Sequence, residues 1–241
     1  MAETVVASIS KRLAPAFNLC WPMMVGRYNA TLTDRPDLRL PFPDTALALL
    51  IGNTREAWEP VKGFCQQRVQ TTGSLPANPF EELLGELLDA ALSSPHVRQQ
   101  QHRVYWSQNV EDGELVAMNR AAEASGHVTT ESISHLSCHP VYGPWISFRA
   151  LVVFPELTAE CIKKPSTPVA PVVVDHETSA AIKEAMDYAL AAPGEWRRWV
   201  AVRDTVAQLA GGEHRYPDDQ IAYHYAHDRT VLPHPATRTG G

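Results

Sequence analysis

The sequence predicts an α+β fold, a sheet with helices packed on it. Three observations point there. TALALLIG (45–52) and WISFRALVVF (145–154) are near-continuous apolar runs bounded by turn residues, the pattern of buried strands. Residues 78–94 carry Phe80, Leu83, Leu84, Leu87, Leu88 and Leu92 at helical spacing. Strands come before and between helices without the regular alternation of a parallel βαβ sheet.

In chain order, Val5, Ile9 and Leu13 mark a helix over 3–13, which Pro15 ends. A second helical segment runs from Met23 to Leu32. RPDLRLPFPD, with three prolines, is an extended loop before the strand at 45–52. In the helix at 78–94 Asn78 is the N-cap, Pro79 fits the first turn and Glu81 completes a capping box. Val97–Ser107 alternates loosely as a strand, and Glu114–Ser125 is a helix that stops near Gly126. The strand at 145–154 is expected to end at Pro155. Four prolines between Pro155 and Val174 make that stretch a connector. Asp175 then caps a helix to Leu190; Glu195–Leu209 and Asp218–Tyr225 are two more. Residues 1–235 are read as a single domain and 236–241 as a frayed tail.

Composition narrows the function. The net charge is −6 and no basic run occurs, which argues against nucleic acid as the main partner. The first residues carry an early acid and no long apolar core, unlike a signal peptide. The longest apolar run, Ala46–Ile51, is far short of the roughly 18 residues a membrane span needs. Cys20, Cys65, Cys138 and Cys161 are scattered with no C-x-x-C pair, so reduced thiols and a cytoplasmic setting are expected.

Phosphate loops, dinucleotide fingerprints, G-x-S-x-G elbows and H-E-x-x-H are all absent from the sequence. Cys138-His139 looks like a nucleophile and its base, but neighbours on a strand point to opposite faces, which favours a buried thiol beside a hydrogen-bonded imidazole. His224 and His227 share a helix face and, with His214 or Asp228, form a conceivable zinc site; with no thiolate pair, a solvated or partly buried face is the better reading. Three arginines matter more. Arg149 lies inside an apolar strand and must either be ion-paired or face a pocket. Trp196, Trp199 and Arg203 fall near one helix face, either as a tryptophan-anchored core helix with a charged edge or as part of a site. Arg229 follows the last helix, where plain solvent exposure is the default.

LSCHPVYGPWISFRALVVFP, through His139-Pro140, Gly143, Trp145, Arg149, Val152-Val153 and Pro155, resembles the signature of the cblC-type cobalamin-processing family. Collinear support comes from Pro22, Val25, Tyr28 and Asn29, then Leu40, Pro41, Pro43 and Leu47. It continues in Trp196-Arg197, Trp199, Arg203-Asp204, Arg215-Tyr216 and Ala222-Tyr223. The resemblance spans roughly residues 15–230.

It implies a flavin-reductase-like or nitroreductase-like α+β fold with a mostly antiparallel central sheet. It also implies base-off binding of cobalamin, glutathione-dependent dealkylation and reductive decyanation, with FMN or FAD as a conceivable electron source. A downstream cobalamin-trafficking partner is expected, and a monomer or weak homodimer. By this resemblance Arg149, Arg203 and Arg229 bind glutathione, while Val116, Ala117, Met118, Asn119, Thr130, Glu131, Ser132, Ser137 and Phe148 line the corrin site. No catalytic side chain and no protein ligand to a metal is expected, and the cobalt-ligating pattern D-x-H-x-x-G is missing.

The chain departs from the family at Ser137, where the family has cysteine, and at Glu123, where it has histidine; the interval from there to His139 is shorter. A carrier that binds cobalamin without chemistry, and a flavin-dependent reductase with no corrinoid role, are the alternatives.

Overall fold

The computed structural model describes residues 1–159 and 175–233. The expected connector beyond Ala159 and the expected tail at 236–241 fall outside the described residues.

The elements are, in order, α1 (Ala2–Leu13), β1 (Leu19–Met24), α2 (Val25–Ala30), β2 (Ala46–Asn53), α3 (Trp58–Thr72), α4 (Pro79–Leu92) and β3 (Arg103–Trp106). Then follow α5 (Met118–Ser125), β4 (Thr129–Thr130), β5 (Ser137–Cys138), β6 (Ser147–Thr158), α6 (His176–Leu190), α7 (Trp196–Ala207) and α8 (Asp218–Tyr225). Four strands form an antiparallel sheet in the order β1-β2-β6-β3, and β4 pairs with β5 apart from it.

The β2 residues are buried on both faces of the sheet, which explains their unbroken apolar run. Leu47, Leu49 and Ile51, with Ala150, Val152 and Phe154 of β6, meet α1, α3 and α4 through Val5, Ile9, Trp58, Val61, Phe80 and Leu84. Ala48, Leu50, Leu151 and Val153 face the other way, toward Tyr28 of α2 and Ala121 and Ala122 of α5. Each fully buried Leu or Phe of α4 contributes about 1.5–3 kcal/mol of apolar transfer.

Several expectations need correction. Residues 19–24 are strand, so the segment at 23–32 is helical only from Val25 to Ala30. The cap partner of α4 is Glu82, whose Oε1 accepts from the Asn78 N–H at 3.0 Å, while Glu81 points elsewhere. Of 97–107 only Arg103–Trp106 pairs, and α5 starts at Met118 rather than Glu114. Pro155 does not stop β6, which runs to Thr158. The β3 partner reaches only to Val153, and a register shift between Ala46 and Leu47 frees this position from the ladder. Helix α3 has no counterpart among the expected elements. Pro60 and Gly63 interrupt its pattern, but Pro60 sits in the first turn, where its missing N–H costs nothing.

Two features of the sheet's end position the site. The β2–β6 register skips one residue where Ile51 pairs with Ala150 but Gly52 pairs with Phe148, so Arg149 is a bulge. Beyond it, side-chain alternation inverts. Phe148 joins the Tyr28 side, and Arg149 turns to the α4 side. Gly52 is needed there, because a Cβ would lie 2.5 Å from the Ser147 carbonyl oxygen. Likewise Gly143, at φ +54°, presses on the chain just past α7, where a Cβ would come within 1.9 Å of the Ala210 oxygen. That contact ties the His139–Gly143 turn to the helix carrying Arg203.

Candidate functional site

A cavity of about 720 Å³ opens at this end of the sheet. The bulge supplies Ser147, Phe148 and Arg149; the start of α5 and the chain before it supply Val116, Ala117, Met118, Asn119 and Arg120; β5 supplies Ser137; α7 supplies Arg203; and Tyr216, His224 and Tyr225 close it. Among the described residues its lining holds three arginines and no Asp or Glu. A smaller cavity of about 330 Å³ adjoins it, sharing Arg149 and His224 and adding Glu81, Tyr223, His227 and Arg229.

The arginines are held differently. The Arg149 Nε donates to Asn53 Oδ1 at 2.8 Å and Nη1 to Glu81 Oε1 at 3.1 Å, with the guanidinium 4.4 Å from the Phe80 ring centre. It therefore meets both alternatives read from sequence, an ion pair and a cavity wall. Arg120 is engaged by Asp34 in a bidentate pair at 2.7 and 2.6 Å. Arg203 has no carboxylate and no hydrogen-bond acceptor among the described residues, and its Nε is buried. It lies 5.3 Å from the Trp145 ring and 5.8 Å from that of Tyr225. Aromatic faces stabilise a cation by about 0.5–2 kcal/mol without neutralising it, so its charge remains available to an anion. Arg229 is exposed, as expected, but it is not unengaged. It donates to the Pro76 and Ala77 carbonyls and lines the smaller cavity.

The Ser147 and Tyr216 hydroxyls lie 3.1 Å apart in the lining, and burial raises the Tyr216 pKa. The His224 ring sits 4.8 Å from Phe80, 5.2 Å from Tyr223 and 5.8 Å from Tyr216. Burial, then Arg149, Arg203 and His227, hold its pKa well below the usual imidazole range, so the ring is neutral. Ser137 Oγ is buried without a partner among the described residues.

Thr130, Glu131 and Ser132 are apart from these groups, and none of the three lines the cavity. The Thr130 N–H donates to Glu123. Buried Glu131 accepts from the N–H of Ile133 and from the N–H and hydroxyl of Ser134, which overcome the effect of burial and lower its pKa.

Cys138 and His139 are not a catalytic pair. The thiol packs against Ile182 and Val206, and burial raises its pKa to about 12. The His139 ring stacks between Trp21 and Tyr142, and its Nδ1 accepts from the N–H groups of Val141 and Tyr142. Nor do His224 and His227 share a helix, because α8 ends at Tyr225 and His227 follows at φ 53°. Among the described residues no cluster of metal-ligating side chains occurs, and no helix is long and apolar enough to cross a membrane.

Sequence reasoning missed Tyr216, Tyr225 and Ser147 as lining residues and read His224 only as half of a metal pair. Some of them carried a signal: Tyr223-His224-Tyr225 puts a polar ring among aromatics in a short helix, and Tyr216 follows Arg215 just ahead of that helix.

No protein-family model and no curated protein sequence matches the chain. The fold does match a solved structure, that of a C. elegans B12-trafficking protein, CblC, a homologue of human MMACHC. The TM-score is 0.72 with 18% identity, over 96% of this chain and 92% of that one. The chain thus has the fold of a protein from the family that its sequence resembles.

Proposed function

We propose that this chain binds cobalamin as its substrate, with the lower base off the cobalt, and removes the upper axial ligand. Alkyl groups leave by attack of glutathione, and cyanide leaves by reduction, with electrons from a thiol or from reduced FMN or FAD. The processed corrinoid passes to a downstream trafficking protein in the cytoplasm. In keeping with this, the antiparallel α+β sheet is assigned to the flavin-reductase-like class.

The observation that carries the reading is the cavity with Arg203 in its wall, a cation without a carboxylate, on the fold of a B12-trafficking protein. A cavity of this volume is in the range of ligand sites. Its apolar stretch, Val116 to Met118 with Ile146 and Phe148, suits the flat face of a corrin; the unpartnered Ser137 Oγ suits the amides at its rim. At the other end Arg149 and Arg203 suit the carboxylates of a small acidic peptide, which guanidinium forks bind well. Arg229, in the adjoining cavity, is assigned to the same peptide, and Val116, Ala117, Met118, Asn119, Ser137 and Phe148 to the corrin. Thr130, Glu131 and Ser132 act from behind, shaping the turn next to β5. The cobalt supplies the bond-breaking chemistry; the protein binds, orients and excludes water.

The test is a visible-absorption titration of alkylcobalamin into the protein without oxygen, followed by glutathione. The expected result is one spectral change on binding, from loss of the lower base, and a second on adding thiol. Binding with no ligand loss under any reductant identifies a carrier instead, and no change at either step ends the cobalamin reading.

A further inference from the structure

Of the two described residues that belong to both cavities, Arg149 is held by Asn53 and Glu81, whereas His224 has no such structural duty. Neither ring nitrogen has a hydrogen-bond partner among the described residues, and Nε2 is shut off from solvent. The groups around it come from every packed element: Phe80 and Glu81 of α4, Arg149 of β6, Arg203 of α7, and Tyr216, Tyr223, Tyr225 and His227 along the C-terminal stretch. A purely apolar ring would fill this aromatic slot without leaving a buried nitrogen unpaired.

We infer that His224 is the proton acceptor for the thiol substrate, a catalytic residue that converts the bound S–H to thiolate beside Arg149 and Arg203. The inference rests on the thiol-dependent reading above. The proton moves from sulfur to Nδ1, the ring nitrogen that is not shut off, leaving thiolate and imidazolium. The thiolate then attacks the alkyl carbon: the S–C bond forms, the cobalt–carbon bond breaks, its electron pair stays on cobalt, and the imidazolium returns its proton to water. Thiolate, not thiol, is the nucleophile, and at neutral pH a free thiol is only a few per cent ionised.

The two arginines make the order of events specific. Burial and the two guanidiniums keep the ring unprotonated, so its lone pair is free. Once peptide carboxylates pair with the guanidiniums, the field opposing an imidazolium is reduced, and the ring becomes a better base only when substrate is present.

The test uses His224→Phe, which fits the aromatic slot, and His224→Gln, which keeps a polar atom but cannot hold the proton. The ultraviolet thiolate band of glutathione bound to the corrinoid-free protein is followed against pH. In the wild type the bound thiol is expected to ionise about one pH unit lower than in either variant, roughly a tenfold difference in thiolate at neutral pH. S-methylglutathione, which has no proton to give, should bind all three proteins within about threefold. Dealkylation should slow by roughly tenfold or more at neutral pH in the variants, the lower part of the general-base range, with the gap closing above pH ~8.5, where solution supplies the thiolate.

Equal thiol ionisation in wild type and both variants overturns the assignment, as do parallel pH–rate profiles. If His224 lowers the thiol's ionisation but alkylcobalamin is never consumed, the cobalamin reading falls and the assignment stands. If His224→Phe does not fold, His224→Gln carries the test.

Discussion

Arg149 and Arg203 line the same cavity, yet replacing each by methionine should have opposite consequences for stability. Arg149 is 12% exposed and bonded to Asn53 and Glu81; removing it orphans a buried amide oxygen and a carboxylate that is itself only 25% exposed. A hydrogen bond to a charged group is worth about 1.5–3 kcal/mol, and the stack on Phe80 adds ~0.5–1 kcal/mol. Glu81 can turn partly to water, so the sum is discounted to about 2–3 kcal/mol. Arg203 leaves no carboxylate behind. Methionine there loses two aromatic contacts, ~1 kcal/mol in all, and removes a poorly solvated charge worth a similar amount, so the net change is expected within about 1 kcal/mol of zero. For a chain of this length the Arg149 variant should unfold roughly 4–10 °C lower and the Arg203 variant within ~3 °C of wild type. Thermal unfolding with and without excess glutathione reads both terms. Glutathione should raise the midpoint of the wild type and not that of Arg203→Met, because stabilisation by a ligand scales with its affinity. If Arg203→Met proves the more destabilised of the two, or is protected by glutathione as well as the wild type, then Arg203 is a structural cation and the contrast drawn between the two arginines is wrong.

Other outcomes follow from the same geometry. Burial, then His127 and His214, depress the His139 pKa from 6.5 to about 4, so the unfolded chain binds the extra proton between these values. Stability should therefore be full above pH 6.5 and fall as pH drops toward 4, by about 2 kcal/mol after allowing for the ring's partial exposure; urea titrations across that window should show a shallower slope in His139→Phe. Gly143→Ala puts a methyl against the Ala210 carbonyl at a positive φ, and a loss of about 3 kcal/mol or more in urea unfolding is expected, with weaker glutathione binding as α7 shifts. Cys138, whose thiol is pushed up to about 12 by burial, should resist alkylation in the native protein and react on unfolding, as peptide mass spectrometry would show.

Much of the sheet and of the helices was legible because burial writes itself into sequence period. Residues 46–53 are apolar without a break since both faces of β2 are covered, and 79–92 show a helical stripe since one face of α4 meets Val152 and Phe154. Where the reading failed, a tertiary fact had overruled a local rule. Pro155 is a strand breaker only where its nitrogen is needed by a partner, and β3 ends before reaching it. Helix α3 shows only a weak apolar stripe, and its packing on the sheet through Trp58, Val61 and Cys65 decides its form.

The site was legible in a different way. Composition and period said nothing about Arg149 beyond its oddity in a strand. Strict alternation along β6 would turn Arg149 toward the α5 side with Leu151 and Val153, away from Phe80 and Glu81. One inserted residue opposite Gly52 reverses that, and only the pairing of Ile51 with Ala150 and Gly52 with Phe148 reveals it. The resemblance located the arginine without supplying this reason. The same bulge explains why two neighbours, Phe148 and Arg149, reach one cavity while belonging to opposite faces of the sheet: the strand is turning as it enters the wall. A deletion of one residue within 147–149 would restore regular pairing, keep the apolar core of β6 intact and withdraw the guanidinium from the cavity. Such a variant should therefore fold, yet bind glutathione no better than a protein lacking Arg149.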